Sequence, residues 1–420
     1  MLIPRIHNLA DESPHAGRPV VWLLCCLVLL LSLPTPAQQR GRRKTQQGRP
    51  QPAKDFNALA AQASKAREAD QIEEAISLYR KALSVRPQWG EGWWYLATSL
   101  YDHDSYAEAV SAFQQAVKLQ PKAGAAWGML GLCEFQVGRY AEAMEHLNRA
   151  RHLGLPADNP GLSRVVRYHE ALCLLLNGDF ETAQTTFGSL CFEGLNTKEL
   201  ILALGAATIQ IPSLPGKIEA SALELVSRAG QVAYLAATKK IVEAKSEYQR
   251  LMADYPTTTN IAYAYGRFLL NQRDDEGAIV AFKREIEITP SHRLARLQIA
   301  GVKLRNKQAN DGIPFVEEVL TLNPNDPLAE YIIGRLFLDS GQVDRAIKSL
   351  ELARTFYPDE PKIYYQLGRA YARAKRKDDA DKALAAFTRL RKAALQSDKS
   401  PARSVESLQD DETQTSPPRP

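Results

Sequence analysis

Cysteine is scarce, with five residues (Cys25, Cys26, Cys133, Cys173, Cys191) in 420. That is too few for a disulfide scaffold, and no C-x-x-C pair offers a redox or zinc motif. Charge of one sign is lacking too: 53 Lys+Arg stand against 48 Asp+Glu, a net +5. So small an excess is weak support for nucleic acid as a partner. The one long apolar run, Val20 to Leu33, falls short of the roughly 20 residues that a membrane span needs. Also absent are H-E-x-x-H, G-x-x-x-x-G-K-[ST], G-x-S-x-G and any strand pattern to hold a catalytic loop. The seven histidines are scattered, and His103 and His146 read as solvent-facing. With 45% hydrophobic and 24% charged residues, collagen-like, wholly disordered and polytopic membrane classes are excluded. A non-enzymatic protein with no cofactor and no metal is expected.

What is present begins with a targeting signal. Residues 1–37 place Arg5 and Arg18 before the uncharged run Val20–Leu33, and Pro34-Thr35-Pro36-Ala37 after it. This is the layout of a secretory signal cleaved before Gln38. Export to a periplasmic or extracellular space is expected. Asp11 and Glu12 lengthen the leading region, which keeps a membrane-anchored, uncleaved form open. Cys133 and Cys173 lie within helical apolar patterns and are expected to be buried structural thiols.

Residues 38–54 carry Arg40, Arg42, Arg43, Lys44, Arg49 and Lys54 with no acid, and are expected to be a disordered linker. Contact with an anionic membrane surface or cell-wall polymer and a merely solvated spacer both fit. Residues 396–420 are polar, Pro-rich and net −2, a second disordered segment. Residues 55–395 therefore sum to +1: the basicity sits on the linker, and nucleic-acid binding by the whole chain loses its support.

Between these segments the chain repeats. A small residue, a bulky apolar one four places on, another small or apolar one, and a proline recur. Examples are Ala75, Tyr79, Ala82, Pro87 and Ala109, Phe113, Ala116, Pro121. The small residue recurs at Ala75, Ala109 and Ala143, and again at Ala244, Ala278, Gly312, Ala346 and Ala380, always 34 apart. In the second series the members after Ala278 are read as Phe282, Ile286 and Pro290. Upstream of each marker lies a second helical pattern, such as Trp93, Leu96, Ala97, Leu100 or Trp127, Leu130, Gly131. These are i, i+3, i+4, i+7 spacings, one face of a helix. A fixed period of this length marks a solenoid of helix pairs.

The pattern W-x₂-L-G…Y…A-x₃-F…P, nearly intact around Trp93 and Trp127, resembles the tetratricopeptide repeat. The resemblance runs from about Phe56 to Ala394. It implies an all-α, right-handed solenoid of about nine helix-turn-helix repeats. An N-terminal array of four is expected over 55–190 and a C-terminal array of five over 225–395. Between them, residues 191–224 form an irregular insertion with an apolar helix at Lys198–Gln210. That insertion is either a bend or hinge, or an embellishment on one continuous solenoid.

The resemblance further implies a concave groove lined by the first helix of each repeat. Carried over, its places fall in the N-terminal array on Trp94, Tyr95, Tyr101, Met129, Phe135 and Tyr168, an aromatic strip suited to anchoring a peptide or helix. In the C-terminal array they fall on Tyr263, Arg267, Tyr331, Arg335, Tyr365, Arg369 and Arg373. Each Tyr/Arg pair is i, i+4, and a guanidinium fork suits an acidic side chain or C-terminal carboxylate. Ion pairs between these arginines and acids on adjacent helices fit as well. The expected function is a protein- or peptide-binding scaffold outside the cytoplasm, an envelope assembly adaptor of bacterial type. The alternative is a structural solenoid whose end repeats stack into homo-oligomers.

Overall fold

The computed structural model of the protein describes residues 52–157 and 159–397. The signal segment 1–37, most of the linker 38–54 and nearly all of the tail 396–420 lie outside the described residues. Among the described residues there is no strand, and no helix is long and apolar enough to cross a membrane.

The chain divides into two compact units, one running to Cys173 and the other starting at Leu174. The division falls inside a helix. The first unit holds α1 (Pro52–Glu68), α2 (Ile72–Val85), α3 (Gly90–Asp102), α4 (Tyr106–Leu119), α5 (Gly124–Gln136), α6 (Tyr140–Leu153) and most of α7 (Pro160–Leu176). The second holds α8 (Phe180–Phe192), α9 (Lys198–Thr208), α10 (Leu223–Ala237) and α11 (Ile241–Asp254). Four helix pairs complete it: α12 (Ile261–Asn271) with α13 (Asp275–Ile288), α14 (Arg293–Arg305) with α15 (Ala309–Leu322), α16 (Pro327–Asp339) with α17 (Val343–Phe356), and α18 (Pro361–Arg373) with α19 (Lys377–Ser397). The architecture is all-α and solenoidal, as expected.

The marker residues explain the pairing. Ala75, Ala109, Ala143, Ala244, Ala278 and Ala346 are wholly enclosed, and so are Tyr79, Phe113, Leu147, Phe282 and Leu350 four places on. A methyl group at the first place lets the two helices approach, and the bulky side chain fills the space beside it. Each such side chain contributes about 1.5–3 kcal/mol. At Gly312, where the others have Ala, a Cβ would lie 2.9 Å from Leu336 Cδ2, so an alanine there would need that leucine methyl to shift.

The turns repeat with the helices. Asp70, Asp104 and Gly138, then Lys239, Arg273, Lys307, Gly341 and Lys375, each close a first helix in the left-handed region. At Asp104 the flanking bonds are Ser105 N to Leu100 O, 2.9 Å, and Asp104 N to Tyr101 O, 3.0 Å. This double bond satisfies carbonyls that a helix end otherwise leaves open. The recurrent proline is fixed from the other side. Trp93 Nε1 donates to Pro87 O at 2.8 Å, Trp127 Nε1 to Pro121 O at 2.9 Å, and Tyr364 Oη to Pro358 O at 2.7 Å.

The apolar insertion helix is observed as α9, two residues shorter than expected at its end. It is buried continuously from Leu200 to Ile209, so it belongs to the core of the second unit and is no surface embellishment. Its partner is α10, and glycines bring the two together. A Cβ on Gly205 would meet Val226 O at 1.9 Å, and one on Gly230 would meet Ile201 O at 2.0 Å.

Candidate binding surface

In the first unit the aromatic residues expected to line a groove separate into two sets. On α3, Trp94, Tyr95 and Tyr101 are half-buried. Their inward edges rest on the repeat: Trp94 on Phe113, centroids 5.6 Å apart, Tyr95 on Tyr79 at 5.8 Å, and Tyr101 on Tyr106 at 5.4 Å. The Arg67 guanidinium lies 4.2 Å over the Tyr95 ring. Burial pushes the Tyr101 phenol above its ordinary range, so it is a neutral hydrogen-bonding group at any physiological pH.

On α5, by contrast, Met129 and Phe135 are buried. Both were expected in an open groove, and both are core. Phe135 packs edge-on to Tyr140 at 5.1 Å and to His169 at 4.8 Å. Tyr168 is half-buried, its ring at 90° to His169. His169 bonds Val165 O through Nδ1 at 2.8 Å, and burial pulls its pKa down to about 4. The imidazole is therefore neutral, as an apolar site requires.

His146, read from the sequence as solvent-facing, is half-buried. It bonds Glu134 Oε2 at 2.6 Å, and Glu134 is itself buried.

In the second unit part of the Tyr/Arg ladder is folded into the protein, while Arg267, Tyr365 and Arg369 are half-buried and Arg373 is exposed. Tyr263 and Tyr331 are each 1% exposed and Arg335 is 7% exposed. The expectation that these three face an open groove is corrected. Tyr263 Oη donates to Glu181 Oε1 at 2.6 Å, and Arg267 donates to Gln184 Oε1 at 3.0 Å with Glu181 Oε1 at 3.6 Å. The Arg335 guanidinium sits 5.6 Å from the Tyr331 centroid, one turn away on α16. Tyr365 remains half-buried against Phe387 at 5.4 Å. Arg369 donates to Gln366 Oε1 at 2.8 Å and to Asp339 Oδ1 at 3.3 Å, while Arg373 donates to the Leu338 carbonyl.

Arg305, at the end of α14, likewise donates to Asp275 Oδ1 at the start of α13, 2.7 Å away. Arg369 thus ties the successive first helices α16 and α18 together, and Arg305 ties α14 to the second helix before it. Carboxylates of the chain already occupy these guanidinium groups, which is why the i, i+4 spacing alone does not make a ligand site.

One buried polar cluster was missed in the sequence. The third member of the pattern after Ala278 is Glu285, fully buried, rather than the half-buried Ile286. Its carboxylate accepts from Asn260 N at 2.8 Å and Tyr263 N at 3.2 Å, so it caps α12 from a distance. A glutamate where other repeats carry Ala or a branched apolar residue was the available signal.

The family model of the tetratricopeptide repeat matches residues 60–110, 96–160 and 331–394. The chain carries tetratricopeptide repeats. No curated protein matches it. Among solved structures it is similar to an RS-1 MamA double mutant, with 21% identity over 41% of this chain and 96% of that one, TM-score 0.38. MamA from residue 41 of Desulfovibrio magneticus RS-1 shows 23% identity over 41% and 96%, TM-score 0.36. YrrB, described as a tetratricopeptide-repeat protein with an unusual peptide-binding site, shows 16% identity over 39% and 84%, TM-score 0.35. Tetratricopeptide-repeat solenoids are a non-catalytic scaffold type that binds other proteins. The repeats of this chain place their Trp93, Trp127 and Tyr364 donors on the structural prolines, and leave the neighbouring Trp94, Tyr95 and Tyr365 half-exposed.

Proposed function

We propose that this tetratricopeptide-repeat protein is a scaffold acting outside the cytoplasm, holding a protein or peptide partner on the aromatic face of α3. One observation carries the proposal: Trp94, Tyr95 and Tyr101 are half-exposed on one helix, whereas the next first helix, α5, is buried from Ala126 to Phe135. Rigid aromatic side chains with their inner edges already packed lose little entropy when a partner covers the rest.

The test is a photo-crosslinkable residue at Thr98, used to capture the partner, followed by its affinity for Trp94→Ala plus Tyr101→Ala. A loss of about 30-fold or more is expected, the range of two anchor residues. Affinity equal to wild type would sink the proposal.

A contribution from acidic or C-terminal carboxylate groups of the partner narrows to α18, where Tyr365, Arg369 and Arg373 follow one another at i, i+4 spacing. There a ligand carboxylate would exchange for Asp339 on Arg369. The basic stretch 38–54 would add contact with an anionic membrane or cell-wall polymer. Export rests on the apolar run Val20–Leu33. Cell fractionation with N-terminal sequencing checks it, and an intact chain recovered from the cytoplasm would count against it.

A further inference from the structure

Four elements of the second unit meet at one polar cluster with no part in the binding surface. Asn260, in the left-handed region at φ 70°, precedes α12. Its Nδ2 donates to Ile209 O at the end of α9, 3.2 Å away. Its backbone N–H donates to Glu285 of α13. Its Oδ1 lies 3.0 Å from His292 Nε2, at the start of α14. His292 in turn caps α14, with Nδ1 accepting from Ala295 N at 3.1 Å.

These bonds set the tautomer. Nδ1 faces an N–H donor and must be the unprotonated nitrogen, so Nε2 carries the hydrogen and donates to Asn260 Oδ1. One neutral ring thus holds two elements at once. We propose that His292 is an acid-sensitive latch, which in its neutral form fastens the C-terminal end of α9 to the N-termini of α12 and α14 through Asn260.

A second proton can only go to Nδ1. It would put two donors face to face at Ala295 and remove the cap from α14, which is worth about 1 kcal/mol. The ring would then have to turn, and Asn260 would lose its orienting donor.

The charged and titratable groups around the ring are Glu285 from α13, Tyr263 from α12, and Arg296 from α14. The Glu285 carboxylate is 3.8 Å away and wholly buried, and the Tyr263 ring packs 4.9 Å from the imidazole. Arg296 donates to the His292 carbonyl and to Glu318 Oε2 of α15. Burial holds the ring below the ordinary histidine range against the pull of Glu285, and Arg296 adds to the lowering. The sign follows: a depressed folded-state pKa stabilises the latch above the ordinary histidine value, and that stability is lost as pH falls through the depressed one.

Hydrogen–deuterium exchange from pH 7.5 to 5, corrected for intrinsic rates, tests this on the full chain. Protection over 205–212, 257–264 and 291–298 is expected to fall together, by up to tenfold per pH unit once His292 charges, the limit for one proton. His292→Asn keeps a neutral cap at every pH and should abolish that pH dependence. Protection in wild type that stays flat over the range, or an Asn variant with the same pH dependence as wild type, would overturn the latch. Should the variant fail to fold, the imidazole proton resonances of His292 decide by themselves. Titration at or above the ordinary histidine value would refute the latch, and titration below it together with loss of protection would support it.

Discussion

The Tyr263 hydroxyl donates to Glu181 Oε1 across 82 residues of sequence, at 2.6 Å. Burial and the neighbouring carboxylate both push that phenol far above its ordinary range, so it remains a donor throughout the accessible pH range. Tyr263→Phe keeps the ring and removes only this bond. Because the Glu181 side chain is 21% exposed, water can replace the lost donor. Urea denaturation should show a loss of about 1 kcal/mol, and a variant as stable as wild type would show that the bond is idle.

The crossing of α9 and α10 leaves no room for a methyl group. Gly205→Ala would drive a Cβ into Val226 O, a backbone atom that cannot rotate away. A destabilisation of about 3 kcal/mol is expected. Gly188→Ala is the control. Its Cβ would meet Ala237 Cβ at an ordinary 3.5 Å in the interior of α8, and a gain of roughly 0.5–1 kcal/mol from helix propensity should appear in the same urea titration.

Cys133, Cys173 and Cys191 are free and buried, in keeping with the buried thiols expected at the first two. Burial pushes Cys191 up to about 11, Cys173 up to about 12, and Cys133 above its ordinary range as well. At pH 8 essentially none of the three is thiolate. Iodoacetamide followed by peptide mapping should leave all three unmodified in the folded protein and label all three in guanidinium. Labelling of any one in the native state within minutes would contradict the packing.

The last described helix pair differs from the two before it. One place after the marker stand Ile313 and Ile347, both buried in the core of the second unit, whereas the corresponding Asp381 is exposed, as is Lys245 after Ala244. A charge at this place opposes addition of another apolar repeat. Asp381→Ile should raise self-association, read as a concentration-dependent mass by light scattering, while the wild-type chain shows less. An unchanged mass would mean that the charge does not guard this end.

Much of this was legible in the sequence because a repeat writes the same physics many times. Ala75, Ala109 and Ala143 sit 34 apart since each occupies the same helix crossing, and a single side-chain rule places all of them. The aromatic residues of α3 were equally visible as a type, and in the structure they are half-exposed. The pattern failed at Glu285, where a carboxylate replaces a small residue and Ile286 beside it looks like the better match. It failed again along Tyr331 and Arg335. The i, i+4 spacing puts both on one face, yet cannot say that this face is enclosed.

The sequence by itself determined the helix pairs, their period, their turns and the class of scaffold, because these depend on contacts within about 40 residues of chain. It also determined which residues could bind, by type. Only the tertiary structure decided which of them are available. Exposure depends on how successive repeats close over one another, and the partners that occupy Arg267, Tyr263 and Asn260 lie 51 to 83 residues away. No local pattern encodes contacts at that separation. For that reason Tyr263, Tyr331 and Arg335 became internal framework, while the aromatic face of α3 and the half-exposed side chains of α18 remained as surfaces to test.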